Sequence, residues 1–230
     1  MTLSRRGIPA LTAEQMREVD RVMVEDLHIE LIQMMENAGR NLAEVAMARF
    51  APTSVSVLAG PGGNGGGGLV AARHLANRGC EVHVVLAEPE RLGAVPAHQA
   101  DVGRRVGLAF TEQPAPAELV IDALLGYSLH GSPTGASATL IAWANGQAAP
   151  ILALDKPSGL DVTTGAALPP TIRATATLTL ALPKTGLLDA PEVGELCLAD
   201  IGVPPLVYRR MGLVPPAQLF RDASVIRLGP

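Results

Sequence analysis

The stretch Gly60-Pro-Gly-Gly-Asn-Gly-Gly-Gly-Gly68 lies between an apolar run, Val55–Ala59, and an amphipathic one, Leu69–Asn77. This order predicts a strand, a glycine-rich turn and the start of a helix. Glycine lets the backbone approach a ligand closely and adopt positive φ, and a helix N-terminus offers unpaired N–H groups. Asn64 carries the one functional side chain of this turn. The stretch therefore predicts a site for an anionic ligand at the end of a strand.

The composition indicates one globular domain with a large core. The chain has 230 residues, of which 48% are hydrophobic and 17% charged, which suits a single α/β domain. Aromatic residues make up 3% and the formal net charge is −4 without a basic run, so a nucleic-acid partner is not expected. Cys80 and Cys197 stand in apolar stretches, where buried reduced thiols are expected.

Neither a membrane anchor nor a secretory signal is indicated. A membrane span needs roughly 18 to 20 uninterrupted apolar residues, and no stretch reaches that length. Arg5 and Arg6 are not followed by the hydrophobic segment that a signal peptide requires. We expect a cytoplasmic protein that does not bind membranes.

Two helices are predicted before the first strand, within residues 12–49. Thr12 and Gln15 have the spacing of a capping box, and apolar residues follow at helical spacing from Met16 to Met23. A second helix is predicted over Glu30–Arg49, where these residues share one face: Leu31, Met34, Met35, Ala38, Leu42, Val45 and Ala46. We interpret the methionines as core residues rather than as a ligand box.

From residue 54 to residue 202 the pattern changes to short apolar strands that alternate with helices. Strands are predicted at Ser54–Ala59, Glu81–Ala87, Leu108–Phe110, Leu119–Asp122, Ile151–Asp155, Ala176–Ala181 and Glu195–Asp200. Helices are predicted near Leu69–Arg78, Ala97–Val106 and Ala136–Asn145. Nearly continuous apolar strands are typical of a parallel sheet with helices on both faces. The proline-rich tail, residues 203–230, is expected to wrap the surface of this single domain.

Ligands of such sheets bind beyond the carboxyl ends of the strands. Polar or glycine-rich sequence follows three of the predicted strands, at Gly60–Gly68, Asp122–Gly126 and Asp155–Asp161. If these strands are neighbours, Asn64, Asp122, Asp155 and Ser158 converge on one pocket. For Asp122 alone, capping of a turn is an equally good interpretation.

The glycine stretch also satisfies G-x-G-x-x-G, from Gly60 to Gly65, and Glu88 follows the next strand where a ribose-binding acid is expected. A nicotinamide dehydrogenase is therefore an open interpretation, although the pattern is permissive in a run of glycines. No Gly-Lys-Ser/Thr follows, which excludes a nucleoside-triphosphate P-loop.

Oxygen ligands dominate the candidate site. Asn64, Asp122 and Ser158 offer one carboxylate and neutral oxygens, which suit a hard monovalent cation better than zinc. The histidines show no metal-ligand spacing; we interpret His74 as structural and consider ligand contact for His130. Lys184 follows a strand and could pair with a phosphate or with Asp155, and such a pair can exchange protons with a substrate.

Taken together, these segments resemble the YjeF N-terminal family, the NAD(P)H-hydrate epimerases. The resemblance extends from Leu11 to about Leu188 and rests on Met35-Glu-Asn-Ala-Gly39, Leu58-Ala-Gly-Pro61 through Gly68-Leu-Val-Ala-Ala-Arg-His-Leu75, Asp122-Ala-Leu-Leu-Gly126, Asp155-Lys-Pro-Ser-Gly-Leu-Asp161 and Leu182-Pro-Lys-Thr-Gly-Leu187. It implies a Rossmann-like three-layer α/β/α sandwich with a mostly parallel central sheet, commonly a homodimer. It also implies a metabolite-repair isomerase that interconverts the R and S forms of hydrated NADH or NADPH, after which a separate ATP- or ADP-dependent dehydratase repairs the S form.

The resemblance further implies roles for individual residues. A potassium ion would be bound by Asn64, Asp122 and Ser158. Asp155 would be the catalytic acid/base, assisted by Lys184. The substrate would contact Gly63, Asn64, Gly65, Gly66, Gly67, Gly126, Tyr127, Ser128, His130 and Asp155.

The sequence departs from the family pattern within this predicted site. The family loop usually reads Gly-Asn-Asn-Gly-Gly-Asp-Gly, and this chain has Gly63 for the first Asn and Gly67 for the Asp. Gly126-Tyr127-Ser128 replaces Gly-Thr-Gly, and Lys156 stands where an apolar residue is usual. These changes remove one negative charge and add bulk. They give a second hypothesis, a family member that has lost catalysis and serves as a nucleotide-ligand-binding or protein-interaction module.

Overall fold

The computed structural model describes residues 2–128 and 131–229, and their strands form one nine-stranded sheet. The strands are β1 Thr2–Ser4, β2 Ser54–Ala59, β3 Glu81–Leu86, β4 Ala109–Phe110, β5 Leu119–Ala123, β6 Ile151–Leu154, β7 Ala176–Leu180, β8 Glu195–Ala199 and β9 Val225–Gly229. Their order is β1-β9-β8-β7-β6-β5-β2-β3-β4, and β9 pairs antiparallel with β8 in an otherwise parallel arrangement. The predicted mostly parallel sheet is confirmed.

The helices are α1 Ala13–Arg21, α2 Leu31–Phe50, α3 Gly63–Ala76, α4 Ala94–Arg105, α5 Gly135–Asn145 and α6 Pro205–Arg210. The predicted capping box at the start of α1 is confirmed, because the Thr12 side chain accepts from the Gln15 N–H and the Gln15 side chain accepts from the Thr12 N–H. A π-helical turn over Val22–Asp26 follows α1 directly. No helix in the described part of the chain combines the length and the apolar character needed to cross a membrane.

Helices cover both faces of the sheet through alternate strand residues. One face packs against α2, α3 and α4 through strand residues such as Val57 and Ile121. The opposite face packs against α5 through Leu58 and Val120, and against α1 and α6 through Leu198. This gives the three-layer α/β/α arrangement, in which most residues of the central strands are apolar on both sides.

The ends of the predicted core strands agree with the structure to within one residue. The prediction of a glycine-rich turn followed by a helix from Leu69 was wrong, because α3 already begins at Gly63. Gly65, Gly66, Gly67 and Gly68 are buried within this helix. Their missing side chains allow the first two turns of α3 to lie directly against the sheet and α2, as detailed below.

The C-terminal tail is also more ordered than the prediction of a surface wrap. It contributes α6 and then β9, which extends the sheet beyond β8 and carries β1 on its outer side. Ile226 and Leu228 alternate inward and are 1% and 7% exposed. The prolines of the tail obscured this short alternating run, which is too brief for its period to stand out in the sequence.

The strand order places the predicted site residues together. β2 lies between β3 and β5, and β6 lies on the other side of β5. From β2 the chain continues to β3 and β4 on one side of β2, and it then returns to β5 on the opposite side of β2. The boundary between β2 and β5 is therefore a topological switch point. Such a point leaves a crevice beyond the carboxyl ends of the strands.

Candidate active site

A cleft of about 380 Å³ opens at this switch point, beyond the carboxyl ends of β2, β5 and β6. Its volume falls within the ~300–1,000 Å³ usual for small-molecule sites. The segment that follows β5 and the end of β6 contribute to its lining, including Gly126 and Asp155. Helices α1 and α2 also contribute, with Met16, Asp20 and Met34. The lining is mainly apolar with a few polar groups, which is typical of a binding site.

The glycines of α3 divide into two groups. Gly63 and Gly67 line the cleft together with Asn64. Gly65 and Gly66, which were also predicted to contact substrate, are buried outside the lining. A Cβ on Gly65 would overlap the carbonyl oxygen of Gly60, and one on Gly66 would collide with Met35. These two glycines therefore serve the close packing of α3.

Packing constrains the remaining glycines of the run to different degrees. A Cβ on Gly67 would come within 2.7 Å of Leu154 Cδ2, and one on Gly68 would come within 2.5 Å of Ala123 Cβ. Both contacts are with the β-sheet. At Gly68 helix α3 thus lies so close to the sheet that a side chain would collide with Ala123, whereas at Gly67 the neighbour is the flexible end of a leucine side chain. The first residues of α3 face the cleft.

Asp122 and Ser158 form a fully buried network at the ends of β5 and β6. Asp122 Oδ1 accepts from Ser158 Oγ at 2.6 Å and from the Leu124 N–H at 3.2 Å, and Oδ2 accepts from the Ser158 N–H at 2.8 Å. Ser158 Oγ in turn accepts from the Leu125 N–H at 2.9 Å. Burial raises the pKa of the Asp122 carboxyl, and the hydrogen bonds from Ser158 oppose this rise. The network orders the segment that lines the cleft.

Asp155 and Lys184 form a buried ion pair beside it. Lys184 Nζ donates to Asp155 Oδ1 at 2.5 Å, to the Leu180 carbonyl at 2.8 Å and to Thr179 Oγ1 at 3.2 Å. All three ammonium protons are therefore used, which satisfies a fully buried cation. Of the two predicted partners of Lys184, a phosphate or Asp155, the structure shows the pairing with Asp155.

The backbone of Asp155 has a strained conformation of the kind that is often found at functional sites. Its φ is 64°, in the left-handed region, which costs a residue other than glycine on the order of 1–3 kcal/mol. The Asp155 N–H donates to the Leu178 carbonyl at 2.7 Å, which holds this conformation. Strain of this kind persists where the surrounding structure fixes a side chain in place. Here it places the carboxylate at the cleft.

A second polar pair was not foreseen from the sequence. The Tyr127 hydroxyl donates to Asp20 Oδ2 at 2.5 Å, and both residues line the cleft. Burial raises the pKa of the Asp20 carboxyl, with a smaller opposing effect from the Tyr127 hydrogen bond. Asp20 lies one turn after Met16 on an otherwise apolar helix face, and this interruption was the signal that could have identified it.

Lys156 is the other fully buried lysine of this region. Its Nζ donates to the Leu160 carbonyl at 2.8 Å and to the Pro157 carbonyl at 3.5 Å. Burial lowers the pKa of Lys156 to about 8, although Asp122 and Asp155 oppose the shift. The departure from an apolar residue thus introduces a buried charge behind the site.

The remaining candidates lie elsewhere or make other contacts. Ser128 lines the cleft, whereas His130 lies outside the described residues. Glu88, the proposed ribose-binding acid, pairs with Arg91 at 2.5 Å and is not part of the cleft lining. His74 contacts Glu36 on α2 at 2.8 Å, in agreement with a structural role.

Residues 31–186 match the family model described as YjeF-related protein N-terminus. The chain belongs to this family. As a YjeF N-terminal protein it is 46% identical to the NAD(P)H-hydrate epimerase of Dehalogenimonas lykanthroporepellens, across 99% of this chain and 96% of that protein. The bifunctional NAD(P)H-hydrate repair enzyme Nnr of Salinibacter ruber is 40% identical across 88% of this chain, which spans 42% of that longer protein.

A solved structure supports the fold of this YjeF N-terminal protein. The crystal structure of yeast ynu0 superposes with a TM-score of 0.85, covering 96% of this chain and all of the yeast chain at 21% identity. At that identity the likeness concerns the fold alone. The three-layer α/β/α architecture is thus shared across a large sequence distance.

Proposed function

We infer that this protein is an NAD(P)H-hydrate epimerase that interconverts the R and S forms of hydrated NADH and NADPH. The observation that carries this inference is the buried Asp155–Lys184 pair at the wall of the cleft, in a chain that matches an epimerase over almost its full length. The pair supplies a fixed proton-exchanging carboxylate within a mainly apolar site, as the reaction requires.

The chemistry follows from the substrate. The reacting carbon carries a hydroxyl group and adjoins the ring nitrogen, whose lone pair supports loss of the hydroxyl as water. Asp155 donates a proton to the leaving hydroxyl and accepts one when water returns, while Lys184 holds the carboxylate in position. The apolar wall from α1 and α2 excludes bulk water and limits side reactions.

We propose that Asn64, Asp122 and Ser158 bind a potassium ion. In support, Asn64 Nδ2 is buried without a hydrogen-bond partner in the described part of the chain, and rotating this amide by half a turn would present Oδ1 there instead. Asp122 Oδ2 accepts one hydrogen bond and keeps capacity for a further contact. One carboxylate with neutral oxygens fits a monovalent cation, which would supply positive charge beside the substrate.

The potassium proposal is tested by thermal unfolding in KCl and in NaCl of equal concentration. Binding at tenfold excess over the dissociation constant stabilises by about 1.4 kcal/mol, which raises Tm by roughly 3–5 °C in a chain of this size. We expect this rise in KCl for the wild type and its absence in Asn64→Ala. Equal Tm values in the two salts would contradict potassium binding.

The resemblance to the family supports three accompanying proposals. The protein acts with a separate ATP- or ADP-dependent dehydratase, as the combined repair activity in the name of the Salinibacter relative suggests. It works as a homodimer in the cytoplasm. From the 3% aromatic content, the formal net charge of −4 and the lack of a long apolar stretch, we also propose that neither nucleic acid nor a membrane is a partner.

The proposed function is tested with a mixture of R and S hydrated NADH and a dehydratase that acts on the S form alone. Adding this protein should convert the R fraction as well, so that NADH recovery becomes complete faster than spontaneous epimerisation allows. Asp155→Asn, which keeps the shape of the side chain, is the matched control and should remove the acceleration. Recovery that stops at the S fraction with the wild type would favour the binding-module hypothesis.

A further inference from the structure

The cleft contains a second carboxyl group besides that of Asp155. Asp20 belongs to α1, whereas Asp155 follows β6, so the two groups reach the cleft from different elements of the fold. Asp20 is half-buried, and the Tyr127 hydroxyl donates to its Oδ2 at 2.5 Å. In the described part of the chain its Oδ1 takes no hydrogen bond, so this oxygen is available to a bound molecule.

The two carboxyl groups have contrasting environments. Asp155 has a cation as its partner, the Lys184 ammonium at 2.5 Å. Asp20 has a neutral hydroxyl as its partner, and both its burial and the nearby Asp155 charge raise its pKa, opposed by Tyr127 and Lys184. Pairs of carboxyl groups in such unequal environments commonly divide the roles of acid and base.

Resting on the proposed function, we propose that Asp20 is a second catalytic acid/base residue, and that it serves the face of the substrate ring opposite to the face served by Asp155. Inversion at the hydroxyl-bearing carbon requires water to leave from one face and to return on the other. One carboxyl group can reach both faces only if the ring turns over within the cleft. Two carboxyl groups carried by different elements, one on each side of the ring, remove this requirement.

The proton and electron balance closes without any further reactant. One carboxylic acid gives its proton to the hydroxyl, the C–O bond breaks, and the nitrogen lone pair forms a C=N⁺ bond as water leaves. A water molecule adds to the other face, the C=N⁺ electrons return to nitrogen, and the second carboxylate takes the released proton. One group has lost a proton and the other has gained one, and exchange with solvent restores the starting state.

Tyr127 acts through Asp20 and is therefore a positioning residue. Its hydroxyl engages Oδ2, which fixes the rotation of the carboxyl group and directs the reactive role to Oδ1. This pairing gives a purpose to the bulky residue in the segment after β5, since the tyrosine links that segment to α1. Substitution of Tyr127 should weaken the Asp20 step and leave the Asp155 step unchanged.

The test follows ¹⁸O incorporation from labelled water into separately purified R and S hydrated NADH. The wild type should label and invert both epimers. In Asp20→Asn, inversion should fall by about 100-fold or more. One epimer should still take up ¹⁸O with retention, because Asp155 can remove water and return it on the same face. Asp155→Asn should show the complementary pattern, with labelling of the other epimer, and Tyr127→Phe should slow labelling of the Asp20-dependent epimer alone.

Other outcomes overturn the proposal in distinguishable ways. Inversion at the wild-type rate in Asp20→Asn would remove Asp20 from the mechanism. Equal loss of labelling in both epimers would assign it a structural role only, as would labelling of the same epimer in both aspartate variants. A wild-type protein that neither labels nor inverts above buffer would instead refute the proposed function itself.

Discussion

Substitution of Gly65 with alanine tests whether the glycine run is a helix pressed against its surroundings. The new Cβ would overlap the carbonyl oxygen of Gly60 and would lie 2.7 Å from both the carbonyl carbon and the backbone nitrogen of Gly60. Overpacking costs about 1–3 kcal/mol, and the upper end applies because a backbone obstacle cannot rotate away. The helix propensity of alanine is about 1 kcal/mol more favourable than that of glycine, which offsets part of this cost. The net expectation is a loss of about 2 kcal/mol, or about 4–8 °C in Tm.

Gly63→Ala is the matched control within the same helix. A Cβ at Gly63 has no neighbour within 4 Å, and its backbone is helical rather than left-handed. This variant should therefore be as stable as the wild type or gain up to about 1 kcal/mol. Differential scanning calorimetry and urea unfolding measure both variants. If Gly65→Ala were as stable as Gly63→Ala, the glycine run would not be packed as the structure shows.

Three further substitutions probe the buried polar groups. Lys156→Met removes a charge whose folded pKa, about 8, lies below its ordinary value of 10.5. The unfolded chain binds this proton more tightly than the folded chain does. The free energy of unfolding of the wild type, relative to that of the variant, should therefore rise by about 2 kcal/mol between about pH 7 and pH 9.5. If urea unfolding gave the same difference between wild type and variant at both pH values, the pKa shift would be refuted. Lys184→Met leaves the Asp155 carboxylate buried without its cation, which should cost about 3–5 kcal/mol, and an unchanged urea midpoint would contradict the ion pair. Ser158→Ala removes the hydroxyl that donates to Asp122, and the free energy of unfolding should fall by about 1–3 kcal/mol in the same measurement. An unchanged free energy of unfolding would contradict this hydrogen bond.

The strands and their polar ends could be predicted because the strands of a parallel sheet produce a recognisable local pattern in the sequence. Runs such as Val55–Ala59 are apolar without interruption because helices cover both sides, and a carboxylate or glycine at the end of a run stands out. Asp122, Asp155 and Ser158 were identified in this way, and the adjacency of β2, β5 and β6 then placed them at one edge.

The helical start of α3 and the Asp20–Tyr127 pair could not be predicted for a different reason. Glycine has low helix propensity, so Gly63–Gly68 reads as a turn until the closeness of the sheet is known, and tertiary packing overrides the local preference. Asp20 and Tyr127 are separated by 107 positions. Their contact depends on the position of α1 over the strand ends, which is determined by tertiary packing and not by a local sequence pattern.

The most direct test of the central claim starts from purified S hydrated NADH and follows the R form by chiral chromatography, with and without this protein. The account predicts that the protein speeds the approach to the R/S equilibrium without changing its position, and that Asp155→Asn reduces the rate to that of buffer. Equal rates with and without the wild-type protein, under conditions where it is folded, would contradict the assignment of this cleft as an epimerase site.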